Sequence, residues 1–271
     1  MKISIFTTVT NPVERGDNHL DALRCYKDLA DDVVVVNGGD TVSLDFNLEP
    51  RVDVINKWPE EFDWPFIGQQ FQRGYEACTG DWVIHADLDF IFHEKDFEAI
   101  RNACEANPDA PALSLWKFQF ILPDRYNLKS RLVVAVNKGK YGDRIRFDSG
   151  KDLCQPSLDG VELKPDNVPE ARVSFYNYEK ILKTKEQVMA DQGRMERAYM
   201  RHFKRYQMSA DGSDQDSYDC WLRMQLGRFN KPQKHISLSD HPIYMQETIK
   251  NLQPEQFGYS AHGNLANDYF R

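Results

Sequence analysis

Four consecutive valines, Val33 to Val36, bounded by Asp31-Asp32 and by Asn37-Gly38-Gly39-Asp40, form the clearest pattern in the chain. An unbroken apolar run between turn residues predicts a strand buried on both faces of a parallel sheet. Residues 2–9 (KISIFTTV), rich in β-branched side chains and ending in Thr10-Asn11-Pro12, predict a strand opening into a polar loop. Between these strands His19, Leu20, Leu23, Tyr26 and Leu29 recur at helical spacing, which gives a crossover helix over residues 18–30. Residues 52–55 (VDVI) predict a third strand, followed by an aromatic connection through Trp58, Phe62, Trp64 and Phe66. Pro65 suits the first turn of a helix to about Cys78, with Ile67, Phe71 and Tyr75 on one face. Trp82, Val83, Ile84 and Ala86 then form a fourth strand, which ends in Asp87-Leu88-Asp89.

Downstream the pattern predicts a helix over 94–106, strands over 112–121 (ALSLWKFQFI) and 132–136 (LVVAV), and a strand over 173–178 (VSFYNY). Residues 137–167 lose periodicity and turn Gly-, Asp- and Lys-rich, so a long functional or mobile loop is expected there. A charged amphipathic helix is expected over 179–206, its charges taken as a solvated face, then a polar linker over 209–216 and helices over 218–226 and 243–251. Alternation of strand and helix fixes the class as α/β: a mostly parallel central sheet flanked by helices, with a helical C-terminal region. The expected division is a ligand-binding domain over 1–178 and a helical extension over 179–271.

Composition narrows the function classes. The net charge is −8 and no long Lys/Arg run occurs, so nothing announces a nucleic-acid partner; Lys138, Lys140, Arg144 and Arg146 are the residues from which a basic groove would be built. Five scattered cysteines, odd in number and without CxxC spacing, argue against a disulfide framework or structural zinc. No leader-like or transmembrane-length apolar run is present, and a cytoplasmic protein is expected.

The chemistry concentrates at Asp87 and Asp89. Strand residues two apart point the same way, so both carboxylates are expected at the carboxyl edge of the sheet, where open α/β sheets bind ligands. Aligned carboxylates repel one another without a cation, and their hard oxygens suit Mg²⁺ or Mn²⁺ carrying a diphosphate. A second triplet, Asp214-Gln215-Asp216, lies in a polar stretch and lacks this context. His19, His85 and His93 are expected to be structural or surface residues.

With these segments in hand (FTTVTNP, DDVVVVNGGD and GYEACTGDWVIHADLDF) the chain resembles the GT-A-fold glycosyltransferases of the family 2 type, well over the first hundred residues and loosely beyond. The resemblance implies a nucleotide-diphosphate-sugar donor, a UDP-sugar foremost, and an acceptor that in the family ranges over glycans, lipids, proteins and modified DNA bases. It assigns Thr7, Thr8 and Thr10 to the first nucleotide loop, Asn37 and Asp40 to the second, and Asp87 and Asp89 to a metal on the diphosphate, with Arg73 near the nucleotide. Two departures stand out. Asn37 replaces a frequent carboxylate, and Asn177, in Phe175-Tyr176-Asn177-Tyr178, occupies the place of a metal-binding His, for which His241 is the alternative.

Transfer needs a base for the acceptor hydroxyl, which is expected after the long strand: Asp152 in SGKDLCQP first, then Asp148, on a flap over 138–159. Haloacid-dehalogenase-type phosphohydrolases also place Asp-x-Asp after a strand, but near the chain start and usually with Thr or Val where Ile91 stands here. A degraded transferase that binds nucleotide sugar without turnover is the non-catalytic alternative.

Overall fold

A computed structural model describes residues 1–39, 51–55, 57–149, 155–229 and 231–259, with 51–55 described as backbone. The first half holds β1 (Ile3–Val9), a short α1 (Pro12–Arg15), α2 (His19–Leu29), β2 (Asp32–Asn37), β3 (Arg51–Ile55), α3 (Trp64–Ala77), β4 (Trp82–His85), β5 (Phe90–Phe92) and α4 (Phe97–Ala106). The second holds β6 (Ala112–Leu122), β7 (Arg125–Asn137), α5 (Lys138–Tyr141), β8 (Ile145–Arg146), β9 (Ser157–Leu158), β10 (Val161–Glu162), β11 (Glu170–Asn177), α6 (Lys185–Phe203), α7 (Asp214–Phe229), β12 (Lys234–His235) and α8 (Ile243–Lys250).

Strand order in the main sheet is β3-β2-β1-β4-β7-β6-β11-β5, with β12 on the outer part of β7. The pairs β3-β2, β2-β1, β1-β4 and β6-β11 are parallel, and β7 and β5 run against their neighbours. The chain proceeds outward from β1 through β2 to β3 and then returns to the other side of β1 as β4. This reversal opens a crevice at the carboxyl ends of β1 and β4, the place where open α/β sheets bind ligands.

Period-two alternation explains why the valine run lies inside the sheet. Val33 and Val35 join Ile3, Ile5 and Leu23 in one core under α2, whereas Val34 joins Phe6, Phe71 and Tyr75 in another under α3. Each face is covered by a helix, so no polar alternation is needed. Replacing so tightly packed a residue as Phe6 by Ala belongs among core truncations of about 3–5 kcal/mol.

The segment expected as a long loop is structured wherever it is described. Ile145 and Phe147 are fully buried beneath α3, and β8, β9 and β10 form a separate antiparallel sheet. Periodicity could not reveal it, because two-residue strands are shorter than a repeat of the pattern. Lys138 anchors its start: Nζ donates to the carbonyls of Tyr75 (2.8 Å), Glu76 (2.9 Å) and Cys78 (2.6 Å) at the carboxyl end of α3. A cation on the carbonyls at that end opposes the negative end of the helix dipole. Lys138→Met should therefore lower stability by about 1–3 kcal/mol in urea titrations.

The supposed basic groove is absent among these described residues. Lys140 pairs with Asp109, Arg144 with Asp159 (2.6 Å) and Arg146 with Asp148 (2.7 Å), so each charge is met locally.

α6 begins with a capping box, in which Thr184 Oγ1 accepts from the Gln187 backbone N–H and Gln187 Oε1 accepts from that of Thr184. Val188, Tyr218, Trp221, Leu222 and Phe257 bind α6, α7 and the following segment into a third core. Among the described residues no helix is long and apolar enough to cross a membrane.

Candidate active site at the ends of the parallel strands

β4 stops at His85, two residues before the first of the paired carboxylates. Phe90 N–H donates to the Asp87 carbonyl (2.8 Å), so residues 87–90 form a tight turn instead of the extended strand end expected from sequence. That turn is held from beneath by α2: the buried Tyr26 hydroxyl lies 2.5 Å from the Asp87 carbonyl and 2.9 Å from that of Phe90, and donates to them. On the far side Tyr178 N–H donates to the Asp89 carbonyl (2.9 Å). The backbone is thus fixed before any ligand arrives, and both carboxylates still reach the same cleft.

The two acids differ in environment. Asp87 is about half exposed, with Oδ1 3.3 Å from His85 Nε2. Asp89 Oδ2 accepts from Asn177 Nδ2 at 2.7 Å. Burial, reinforced by the charges of Asp87 and Glu179, pushes the Asp89 carboxyl up to about 7, against the opposing pull of Lys117 and Lys180. Two carboxylates forced together with one reluctant to ionise form a donor set that suits a divalent cation. Among the described residues no group of three or more His, Cys, Asp or Glu is placed to hold a metal. The pair therefore fits an ion of the Mg²⁺ or Mn²⁺ kind that takes its remaining ligands from phosphate and water.

The cleft measures about 250 Å³. Thr8 and Thr10 enter it from the end of β1, and Trp58 and Phe62 form an aromatic wall with ring centroids 5.1 Å apart. Gly38 is required beneath that wall, since a Cβ there would lie 1.8 Å from Trp58 Cδ1. Opposite stand Arg15, Lys180, Lys183 and Arg194. Lys183 pairs with Asp17 (2.6 Å) and Asp191 (2.5 Å), Arg15 approaches both acids at 3.3 Å, Arg194 meets Asp191 at 2.9 Å, and Lys180 meets Glu179 at 3.1 Å. Four cations against three carboxylates leave this wall net positive.

These residues went unrecognised in the sequence. The charged stretch after Tyr178 was expected to face solvent, yet Lys183, Asp191, Gln192 and Glu196 are buried. Acidic and basic residues at helical spacing look alike whether they meet water or one another, and only a partner such as Arg15, far away in the chain, distinguishes the cases.

Asp191 is the centre of this wall. Burial would raise its carboxyl, but Arg15, Lys183 and Lys180 hold it well below the usual carboxylate range. A carboxyl depressed by folding contributes stability above its unfolded pKa of about 3.9 and loses it as pH falls toward the folded value. Asp191→Ala leaves Arg194 without its carboxylate and Lys183 and Arg15 to share Asp17 alone, and should cost about 3 kcal/mol at pH 7. In urea melts the gap to the parent should narrow below about pH 4.

Other sequence-assigned residues lie outside the cleft. Thr7 is buried within β1 with its hydroxyl unpartnered, and Asn37 Oδ1 accepts from Gly39 N–H (2.9 Å), closing the turn after β2. Arg73 is exposed on α3. Asn177 turns its amide nitrogen toward Asp89, while its oxygen accepts from Gln119 Nε2 (2.6 Å). It is placed to orient the carboxylate, because the atom it turns toward the Asp pair is the amide nitrogen, which has no lone pair to give a cation. His241 is likewise occupied. Its Nε2 must donate to the Pro123 carbonyl (2.7 Å), which leaves Nδ1 to accept from the Tyr178 hydroxyl (2.7 Å), and burial favours this neutral form. Neither nitrogen remains for a metal. Both oxygens of Asp148 accept from Arg146, at 2.9 and 2.7 Å, and the residue does not line the cleft. Asp40 and Asp152 lie outside the described residues.

No family model matches this chain, and no curated protein does. Solved structures with a similar course of chain are found. Residues 1–349 of S. aureus TarS in complex with UDP overlap 92% of this chain and 78% of that one, at 11% identity and TM-score 0.43. Glucosyl-3-phosphoglycerate synthase from Mycobacterium tuberculosis, in complex with Mn²⁺, UDP and glucosyl-3-phosphoglycerate, overlaps 74% and 79%, at 13% identity and TM-score 0.38. At these scores the overlap concerns the course of the chain, and the chemistry rests on this chain's own residues.

Proposed function

We propose that this protein is a metal-dependent glycosyltransferase that moves a sugar from a nucleotide-diphosphate donor to an acceptor hydroxyl with inversion. The observation that carries this reading is one cleft that combines the Asp87/Asp89 pair, a net-positive wall and an aromatic wall. A diphosphate needs the cations, and a flat nucleobase is accommodated by Trp58 and Phe62. Asp87 and Asp89 would hold Mn²⁺ or Mg²⁺, which when bound supplies positive charge for the departing diphosphate. Asn177 keeps the Asp89 carboxylate in place and Tyr26 the backbone that carries the pair, while Lys183 and Arg194 are held over the cleft by Asp17 and Asp191.

The base is reassigned to Glu179. Its side chain lies on the wall shared by this cleft and a second one of about 380 Å³ on the other side of the Asp pair, a position that Asp148 does not share. Glu179 takes the acceptor proton there, and the acceptor oxygen attacks the sugar from the second cleft.

Calorimetry with UDP and with GDP, each with and without Mn²⁺, tests the reading, together with release of nucleotide from UDP-sugars in the presence of Mn²⁺. Because a cation on Asp87 and Asp89 would share the diphosphate, each ligand should strengthen the other's binding by the same factor. Absence of nucleotide binding, or binding indifferent to EDTA, would sink it.

A further inference from the structure

The second cleft holds a cation that nothing else accounts for. Lys117 projects into it from β6, half-buried, with Nζ 5.9 Å from the centre of the Phe90 ring. Among the described residues it makes no ion pair and no hydrogen bond, whereas each cation on the wall of the first cleft has a carboxylate within 3.3 Å. A half-buried ammonium is costly to leave unmatched. Its present compensation is the nearby charge of Asp87, Asp89 and Glu179, which line the same cleft. A divalent ion on the Asp pair would use up that negative charge and turn the surroundings of Lys117 positive.

Resting on the donor assignment above, we infer that the second cleft receives an acceptor whose hydroxyl neighbours an anionic group, carboxylate or phosphate, and that Lys117 holds the anion. The rest of the lining suits such a molecule. Phe71, Phe90 and Leu132 offer an apolar surface for a ring or carbon chain, and Gln155 offers an amide for further hydroxyls. With the anion fixed at Lys117, the neighbouring hydroxyl lies toward Glu179 and the donor. The acceptor oxygen bonds to the anomeric carbon as that carbon's bond to the diphosphate oxygen breaks. The electron pair leaves with the diphosphate, and the hydroxyl proton passes to Glu179.

Methyl α-glucoside, methyl α-glucuronide and glucose 6-phosphate, titrated by NMR into the full chain with and without UDP and Mn²⁺, supply the test. At least one anionic probe should bind ~10-fold or more tightly than the neutral glucoside, as a charge-assisted contact implies. The better of the two distinguishes carboxylate from phosphate. Lys117→Met should abolish the preference and Lys117→Arg retain it. Equal binding of all three probes, no binding of either anion, or a preference that survives Lys117→Met overturns the inference. UDP titrated into the same samples with Mn²⁺ judges the donor assignment separately, since the probe preference is also read without nucleotide.

Discussion

Asp89→Ala should weaken Mn²⁺-dependent nucleotide binding by at least ~10²-fold while leaving the fold intact. Residues that merely orient a metal ligand are worth 10- to 100-fold in affinity, and loss of the ligand itself should cost no less. Stability is not expected to suffer, because the Asp89 carboxyl, raised by burial and by Asp87 and Glu179, is a poorly solvated group whose removal relieves repulsion. Asp87→Ala should act similarly on binding. The measurement is calorimetric titration of UDP at fixed Mn²⁺, with a urea melt as the control for folding. Undiminished affinity in Asp89→Ala would remove the carboxylate pair from the site.

Glu179→Gln should reduce turnover by about 10²- to 10⁴-fold, the usual worth of a general base, with nucleotide affinity changed little. The amide keeps the size and polarity of the side chain but cannot accept the acceptor's proton. Separation of the two readouts is what identifies a base, because a residue that only supports the cleft would lower donor affinity as well. Asp148→Asn should leave turnover within a few fold of the parent, its carboxylate being committed to Arg146. If Glu179→Gln turns over normally, the base lies elsewhere.

The sheet was legible because its pattern is strong. Four valines with turns on each side, a β-branched N-terminal strand and helices of three turns or so each spell out their own period, and the element order places Asp87 and Asp89 without further help. The position of the carboxylate pair just beyond β4 was legible for the same reason, whereas the tight turn that carries it was not. What sequence concealed was pairing at a distance. Arg15 and Asp191 are separated by most of the protein, and nothing local to either marks it as a partner. Asn177 and His241 were plausible ligands by residue type, but Asn177 turns its amide nitrogen to Asp89 and its oxygen to Gln119, and both ring nitrogens of His241 are engaged, by Tyr178 and Pro123. Residue type states what an atom can do, and only its neighbours state whether it is available.

The cationic wall has a consequence for evolution and engineering. Its members come from α1, from the segment just beyond β11 and from α6, while the carboxylates and threonines come from the strand ends. A fragment stopping at residue 178 would display an acidic mouth with little to attract a phosphate chain. The segment from Glu179 through α6 therefore supplies three of the four cations of the cleft, and grafting it together with Arg15 onto another sheet of this topology would transplant that charge along with it.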